Sequence, residues 1–135
     1  MSSIQKFQVQ TRDHSEFREI TEEVEAIVAV SKVAAGNVVV FVPHTTAGLT
    51  INENADPDVK ADVLQSLELM VPWKQPHFKH GEGNSAAHIK ASMMGFSTTV
   101  LIDKGALALG TWQGIYLCEF DGPRTRQIWV KVNGD

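Results

Sequence analysis

The sequence predicts an α+β fold, in which mostly antiparallel sheet packs beside flanking helices. The last third of the chain alternates apolar and polar residues between turn residues, a pattern typical of antiparallel strands. The first two thirds mix short strands with segments whose apolar residues recur at helical spacing. With 135 residues and 43% hydrophobic content, residues 1–135 are expected to form a single compact domain around one core.

The first half of the chain predicts three strands and one helix. Residues 4–10 alternate weakly and predict an edge strand. Asp13 and Glu16 match a capping box, so an amphipathic helix is expected over residues 16–32. Residues 37–43 form an apolar run rich in β-branched residues, which predicts a strand buried on both faces. A turn and a further strand are expected over residues 44–52.

The second half predicts two short helices followed by three strands. Asp56 before Pro57 is a good N-cap, and the helix that follows is expected to reach about residue 70. A loop is expected next, and then Asn84 caps a short helix that ends at Gly95. The three strands are expected over residues 98–102, 112–120 and 125–132.

Composition argues against several classes of protein. The net charge of −4 and the pI near 5.7 disfavour nucleic acid as a partner, because such proteins usually present a basic surface. No apolar stretch is long enough to span a bilayer, and the amino terminus lacks the pattern of a signal peptide. A single cysteine, Cys118, suits a reducing compartment. These features predict a cytoplasmic protein with neither a membrane nor nucleic acid as partner.

Three of the five histidines are candidates for a functional site. His44 ends an apolar strand, a place where scaffolds present functional groups, although a histidine bonded to its own turn fits equally well. His80 and His88 flank a loop-to-helix junction, so their rings are candidates to meet at one centre. With His44 they would complete a three-histidine zinc-type site with an open fourth position.

Other polar residues lie near strand ends and have structural alternatives. Glu119 is a candidate general base or a group that orients a ligating histidine, or else an exposed carboxylate on a sheet face. Arg124 is placed to bind a carboxylate or phosphate with two hydrogen bonds, or else to pair with Asp121. Cys118 fits a buried thiol better than a nucleophile.

Taken together, several segments in a fixed order resemble the YjbQ family. They are His44-Thr45-Thr46-Ala47-Gly48-Leu49, Asn52-Glu53, Asp56-Pro57, His80, Glu82-Gly83-Asn84, Ala87-His88-Ile89-Lys90, Gly105, Leu109-Gly110-Thr111-Trp112-Gln113 and Glu119-Phe120-Asp121-Gly122-Pro123-Arg124. The combination of the Gly-Thr-Trp-Gln and Asp-Gly-Pro-Arg blocks is the specific part of this pattern. The stretch between His80 and His88 looks shorter than in many relatives.

The resemblance implies packed sheets, a homotrimer, and a pocket in which His44, His80 and His88 hold a metal such as zinc. Characterised members of the family include a secondary thiamine-phosphate synthase, so a small phosphorylated substrate is implied, and magnesium is a second metal that would suit a diphosphate. Lys90 and Arg124 are then expected to supply positive charge, with Arg126 or Lys104 as further candidates, and Trp112 is expected to stack on a ring. Thr45, Asn84 and Gln113 are the remaining candidates for ligand contact.

Two other functions fit the same residues. One is a metal-dependent hydrolase, in which metal-bound water is activated with Glu53 or Glu119 as the base. The other is a binding module that sequesters a metal or metabolite without turnover. The clustering of histidine, carboxylate and arginine at polar strand ends favours an enzyme, since core packing does not require it.

Overall fold

The computed structural model describes residues 3–135, which contain eight strands and three helices. In chain order these are β1 (Gln5–Gln10), β2 (Glu16–Glu19), α1 (Thr21–Ser31), β3 (Gly36–Phe41), β4 (Ala47–Glu53), α2 (Pro57–Met70), α3 (Ser85–Met94), β5 (Ser97–Asp103), β6 (Ala106–Leu107), β7 (Gln113–Glu119) and β8 (Thr125–Gly134). None of these helices combines the length and the apolar character needed to cross a membrane.

The strands form two antiparallel sheets, which confirms the predicted α+β fold. The five-stranded sheet has the order β1-β8-β3-β5-β6, so β1 is an edge strand as predicted, and the three-stranded sheet has the order β2-β7-β4. Alternate residues of both sheets, such as Val38 and Leu117, point into a shared core to which α1 contributes Val24 and Val28. This core holds the two sheets face to face.

The other face of the three-stranded sheet is covered by α2 and α3. Tyr116, Cys118 and Phe120 of this face pack with Leu67 of α2 and Ala91 of α3 in a second buried cluster. The amide of Leu49 donates to the carbonyl of Gly95 at 3.0 Å, which ties β4 to the end of α3. The position of α3 beside β4 is therefore set by backbone contact as well as by side chains.

The predicted start of the first helix is wrong. Residues 16–19 form β2, which pairs with β7 in the register Phe17 to Cys118, and the helix begins at Thr21. Glu16 does not cap a helix, and its carboxylate instead accepts a hydrogen bond from the amide of Arg12 at 2.6 Å. The helical spacing of Phe17 with later residues was misleading because pairing along the edge of β7 outweighs local propensity.

The prediction that residues 37–43 are buried on both faces is also wrong. Val38, Val40 and Val42 point into the core and are fully buried, but Phe41, on the other face of the sheet, is 38% exposed. The strand is central in its sheet, yet within residues 3–135 only one of its two faces has a layer packed against it. An apolar run in an antiparallel sheet thus leaves apolar side chains at the surface.

The predicted helix caps have different outcomes. Asp56 caps α2 as predicted, since its side chain accepts a hydrogen bond from the amide of Asp58 at 2.9 Å. Asn84 occupies the N-cap position of α3, but its side chain makes no capping hydrogen bond and points to another partner. Gly95 ends α3 with a φ of 94°, in the region that favours glycine.

Candidate functional site

The predicted site residues lie toward opposite ends of β7. Glu53 and Gln113 pair at the beginning of this strand, whereas Glu119 ends it, close to Asp121 and Arg124. At about 3.4 Å per residue, the two ends of a seven-residue strand are roughly 20 Å apart. Within one chain, these residues therefore form two separate groups.

The group at the beginning of β7 is engaged in local structure. The carboxylate of Glu53 accepts a hydrogen bond from the amide of Asp56, which leads into α2, at 3.1 Å. The side-chain oxygen of Gln113 accepts from the amide of Gly110 at 2.8 Å. Trp112 is 61% exposed, so its ring is at the surface and outside the core.

The end of β7 holds a buried ion pair between Glu119 and Arg126. The guanidinium of Arg126 contacts both carboxylate oxygens of Glu119, with Nε to Oε1 at 2.9 Å and Nη2 to Oε2. The Arg126 side chain is 2% exposed and the Glu119 side chain is fully buried. Arg126 Nη2 also donates to Thr46 Oγ1 at 2.9 Å, and Thr11 donates to Glu119 Oε1 at 2.7 Å. The alternative of an exposed carboxylate at Glu119 is therefore wrong.

These contacts keep Glu119 ionised. Burial by itself raises the pKa of Glu119, but hydrogen bonds from Arg126, the amide of Asp121 and Thr11 outweigh burial and hold the pKa below its usual range. Both carboxylate oxygens already accept hydrogen bonds, so Glu119 has little capacity to take a proton from a substrate. The carboxylate is suited to holding Arg126 in place.

His44 lies beside this ion pair and is hydrogen-bonded through one ring nitrogen. Its Nε2 accepts the backbone amide of Gln127 at 2.9 Å, a donor that lies beyond the end of β3 in the ladder with β8. Burial lowers the pKa of His44; the charge of Arg126 lowers it further, while that of Glu119 opposes the change. The imidazole is therefore held neutral, with Nδ1 left for any other partner. The amide that donates to Nε2 belongs to β8, so His44 is not bonded to its own turn.

The neutral His44 makes stability depend on pH in a defined direction. The pKa of His44 in the folded protein lies below the unfolded value of 6.5. Its stabilising contribution is therefore present above pH 6.5 and is lost as pH falls through the folded pKa. We expect the free energy of unfolding, measured in urea, to fall between about pH 7.5 and about pH 5.5. A His44→Gln variant is the control and should show a flatter profile over this window. An equally steep profile in the variant would contradict this assignment.

Asn84, Asp121 and Arg124 form a hydrogen-bonded chain next to the start of α3. Asp121 Oδ2 accepts from Asn84 Nδ2 at 2.9 Å and from Arg124 Nη2 at 3.0 Å, so the alternative of an Arg124–Asp121 pair is the one observed. Half of the Arg124 side chain remains exposed, which leaves it accessible to an anion. Asn84 Oδ1 is buried without a hydrogen-bond partner in the described part of the chain.

Lys90 and Thr45 have different environments. Lys90 is 2% exposed, and its ammonium group contacts the carboxylate of Glu68 on α2 at 2.6 Å. This ion pair joins α2 to α3, and it neutralises the charge that Lys90 was expected to present to a substrate. Thr45 is exposed in the loop before β4 and lies next to His44.

Cys118 is a buried thiol, and burial raises its pKa, as expected for an unreactive cysteine.

His80 and His88 come together as predicted. Their rings are nearly perpendicular, with centroids 5.4 Å apart, in a groove of about 550 Å³ at the start of α3. The groove is lined by His77, Phe78, Lys79, His80, Ser85, His88 and Ile89. A larger cavity of about 660 Å³, between α1 and the ends of β1 and β8, has no titratable side chain in its lining. The smaller groove is therefore the candidate site, because it is lined by titratable side chains.

Within residues 3–135, the histidine pair is not part of a three-ligand group. Its rings meet edge to face, and no group of three or more His, Cys, Asp or Glu side chains in this range is arranged to hold a metal ion. His44 thus does not complete a three-histidine site with His80 and His88 in one chain.

Arg126 was expected only as a further source of positive charge, although the sequence carries a signal for its burial. Arg126 lies on the same face of β8 as Ile128, Val130 and Val132, all of which point into the core. A charged residue on the buried face of an alternating strand requires a buried partner. That pattern predicts an acidic residue on a facing strand, and Glu119 is the residue that the fold supplies.

The fold and the groove define an α+β protein of two antiparallel sheets, with a paired-histidine groove at the start of its third helix. The sequence profile of the family described as UPF0047 protein YjbQ-like matches residues 5–135. The chain therefore belongs to the YjbQ-like UPF0047 family, as the resemblance in its motifs predicted.

Individual relatives agree with this placement. The chain is 49% identical over 131 residues to the UPF0047 protein YugU of Bacillus subtilis, covering 97% of this chain and 99% of the relative. It is 51% identical to the UPF0047 protein MJ1081 of Methanocaldococcus jannaschii, covering 96% and 94%.

Solved structures share the fold. A crystal structure of an uncharacterized YjbQ/UPF0047 protein from Clostridium acetobutylicum is 52% identical, with a TM-score of 0.93 over 95% of this chain and 98% of that one. A protein of unknown function from Sulfolobus solfataricus is 32% identical, with a TM-score of 0.94 over 100% and 99%.

Proposed function

We propose that this protein is an enzyme that acts on a small phosphorylated substrate in the groove of His80 and His88, with a divalent metal such as zinc held by the two histidines. The observation that carries the proposal is the approach of the two imidazoles, which come from a loop and from the first turns of α3. Ordinary packing does not require two partly exposed histidines to meet edge to face in a groove.

The surroundings of the groove favour an anionic ligand. Lys79 and His77 line it together with the histidine pair, so every titratable side chain in the lining is cationic or becomes cationic on protonation. Ser85 is the first residue of α3, and the amides at the start of a helix favour negative charge. The Asn84 side chain does not cap the helix. Within residues 3–135, the amides of Ala87 and His88 donate to the Asn84 carbonyl, so those of Ser85 and Ala86 are the ones left for a phosphate.

A bound metal ion would polarise a phosphoryl oxygen and stabilise a departing diphosphate. The protein residues have separate tasks: His80 and His88 hold the metal, Lys79 attracts the phosphate, and Arg124 adds an exposed positive charge beyond Asn84 and Asp121. Two protein ligands leave the other coordination positions to water and substrate.

Thiamine-phosphate synthesis is the particular reaction that we propose, following the family resemblance. It joins a pyrimidine methyl diphosphate to a thiazole phosphate and releases pyrophosphate, so it needs cationic stabilisation of the leaving group. A hydrolase is less well supported, because it needs a base beside the groove. Glu119 is committed to Arg126, and Glu53 lies at the opposite end of β7.

We expect purified protein to bind zinc through the histidine pair. His80→Ala and His88→Ala should each lower the zinc affinity at least about tenfold, because each removes one of the two nitrogen ligands. His14→Ala is the matched control, since His14 packs against Trp73 outside the groove and its loss should leave zinc binding unchanged. Metal content and isothermal titration with Zn²⁺ measure the effect. Absence of binding in every form, even after reconstitution, would refute the metal site.

The reaction itself is tested by incubating the zinc-loaded protein with both phosphorylated precursors and measuring pyrophosphate. Release that requires both precursors and is lost in His88→Ala supports the synthase. Water-dependent turnover of a single precursor would indicate a hydrolase instead. Saturable binding of a precursor without turnover would indicate a binding module and overturn the proposal of an enzyme.

A further inference from the structure

The cavity between α1 and the ends of β1 and β8 is separate from the histidine groove. Its volume of about 660 Å³ lies within the roughly 300–1,000 Å³ of cavities that bind small molecules. It shares no lining residue with the groove of His80 and His88. The proposed reaction therefore gives this cavity no role.

One wall of the cavity is a side of α1 that does not face the core. Val24 and Val28 of this helix are buried in the core, whereas Ala26 and Val30, one turn apart, line the cavity. Val30 is 82% exposed. An apolar ligand in the cavity would remove this side chain from water, which is favourable.

The floor of the cavity is an extension of the hydrophobic core. Val132 belongs to the core, the half-buried Ile27 and Val33 pack against it, and all three line the cavity. Gly134, the next inward residue of β8, has no side chain to fill the space, and a Cβ atom there would meet Val33 at 3.3 Å. Apolar surface that is continuous with the core is therefore left open to a ligand.

Polar groups lie on the β1 side of the cavity. Gln5 and Ser3 line it where β1 begins, on the same inward face as Phe7, which packs against the core. Gln5 Nε2 donates to Ser3 Oγ at 3.3 Å, a long hydrogen bond that a ligand group can replace. The hydroxyl of Ser31, on the helix, already donates to the carbonyl of Val28 at 2.6 Å. The hydrogen-bonding capacity left to a ligand is therefore on the β1 side.

The lining of the cavity carries no charge. Among the described residues that line it, none has a titratable side chain. A charged ligand group would lose its hydration there without gaining a counter-charge. The carboxyl end of α1 lies beside the cavity, and the negative end of the helix dipole disfavours an anion in particular. The cavity is therefore unsuited to the phosphorylated substrate that we propose for the histidine groove.

We infer that this cavity is a second binding site, which takes an uncharged, mainly apolar small molecule with a hydrogen-bonding group at one end, such as an aliphatic alcohol. The apolar body of the ligand lies against Ala26 and Val30, and its polar group binds Gln5. Size decides against a protein as the occupant. Nine residues line the cavity, whereas a protein interface uses about 20–30 residues from each partner.

The test is displacement of a neutral fluorescent probe, N-phenyl-1-naphthylamine, whose emission reports an apolar environment. The full chain should bind the probe saturably, and 1-decanol should displace it. Decanoate has the same chain length but is ionised at about pH 7.5. It should compete at least about tenfold more weakly, because its carboxylate finds no counter-charge in the cavity.

A charge placed in the wall tests the position of the site. Val30→Asp should weaken the binding of the probe and of 1-decanol at least about tenfold. Ala29→Asp is the matched control, because Ala29 is the exposed neighbour of Val30 on α1 and lies outside the lining. It places the same charge near the same helix end and should leave both affinities unchanged.

A second variant tests the polar end of the site. Gln5→Leu should weaken the binding of 1-decanol by about threefold to tenfold, because it removes the hydrogen-bonding partner of the hydroxyl group. Circular dichroism checks that every variant remains folded. Lack of saturable probe binding by the wild type would overturn the inference, as would equal competition by decanoate and 1-decanol. Affinities for 1-decanol that withstand both Val30→Asp and Gln5→Leu would overturn it as well.

Discussion

Replacement of Glu119 by alanine should destabilise the protein by about 3–5 kcal/mol, because it leaves the guanidinium of Arg126 buried without a counter-charge. Arg126 is 2% exposed, so water has little access to solvate the abandoned charge. The same change removes the acceptor for the Thr11 hydroxyl and for the amide of Asp121. A loss of this size is a large fraction of the about 5–15 kcal/mol that stabilises a typical domain.

Chemical denaturation of the variants separates this effect from a general loss of charge. Arg124→Ala breaks an ion pair whose arginine side chain is half exposed, and it should cost at most about 1 kcal/mol. The double variant Glu119→Leu with Arg126→Met should recover much of the lost stability, because it removes both buried charges together. If Glu119→Ala unfolds at the same denaturant concentration as the wild type, the ion pair has no structural role.

Replacement of Gly48 by alanine should cost about 1–3 kcal/mol, because α3 and β4 are too close together to admit a methyl group. A Cβ atom at Gly48 would lie 2.7 Å from the carbonyl oxygen of Gly95 and 3.1 Å from the Cβ of Met94. The obstacle is backbone, which lacks the rotational freedom of a side chain. The helix would have to move away from the sheet, and its hydrogen bond from Leu49 would weaken.

Gly81→Ala is the matched control for this prediction. A Cβ atom at Gly81 has no neighbour within 4 Å in the described structure, and the residue is exposed in the loop before α3. Its replacement should therefore change the unfolding midpoint by much less than that of Gly48. Equal effects of the two substitutions would show that the close approach of α3 to β4 is not what excludes a side chain at Gly48.

Local signals located much of the fold and part of the site. The Asp56-Pro57 pair predicted the start of α2, and Gly95 predicted the end of α3, since both act within one helical turn. The meeting of His80 and His88 was predicted from their positions around a loop-to-helix junction, and the structure confirms it. Here the intervening chain is short, so sequence spacing constrains the geometry.

The predictions that were wrong or left open concern contacts between segments that are distant in the chain. The spacing of residues 16–19 fits a helix, but these residues pair with β7, which lies about a hundred residues away in the chain. Strand pairing therefore decided their conformation. Glu119 had two possible environments in the sequence, and the choice depended on Arg126 and Thr11 arriving beside it. His44 likewise found its partner on β8, in the amide of Gln127.

The sequence by itself determined the family, the α+β class and the residue types from which a histidine site can be built, because these depend on composition, local periodicity and ordered motifs. Tertiary structure alone decided which residues from distant segments meet. It paired Glu119 with Arg126, and it separated Glu53 and Gln113 from the end of β7 where Glu119 lies. The physical reason is that sheet register and the packing of helices on sheets depend on contacts between distant segments, which neither spacing nor propensity encodes.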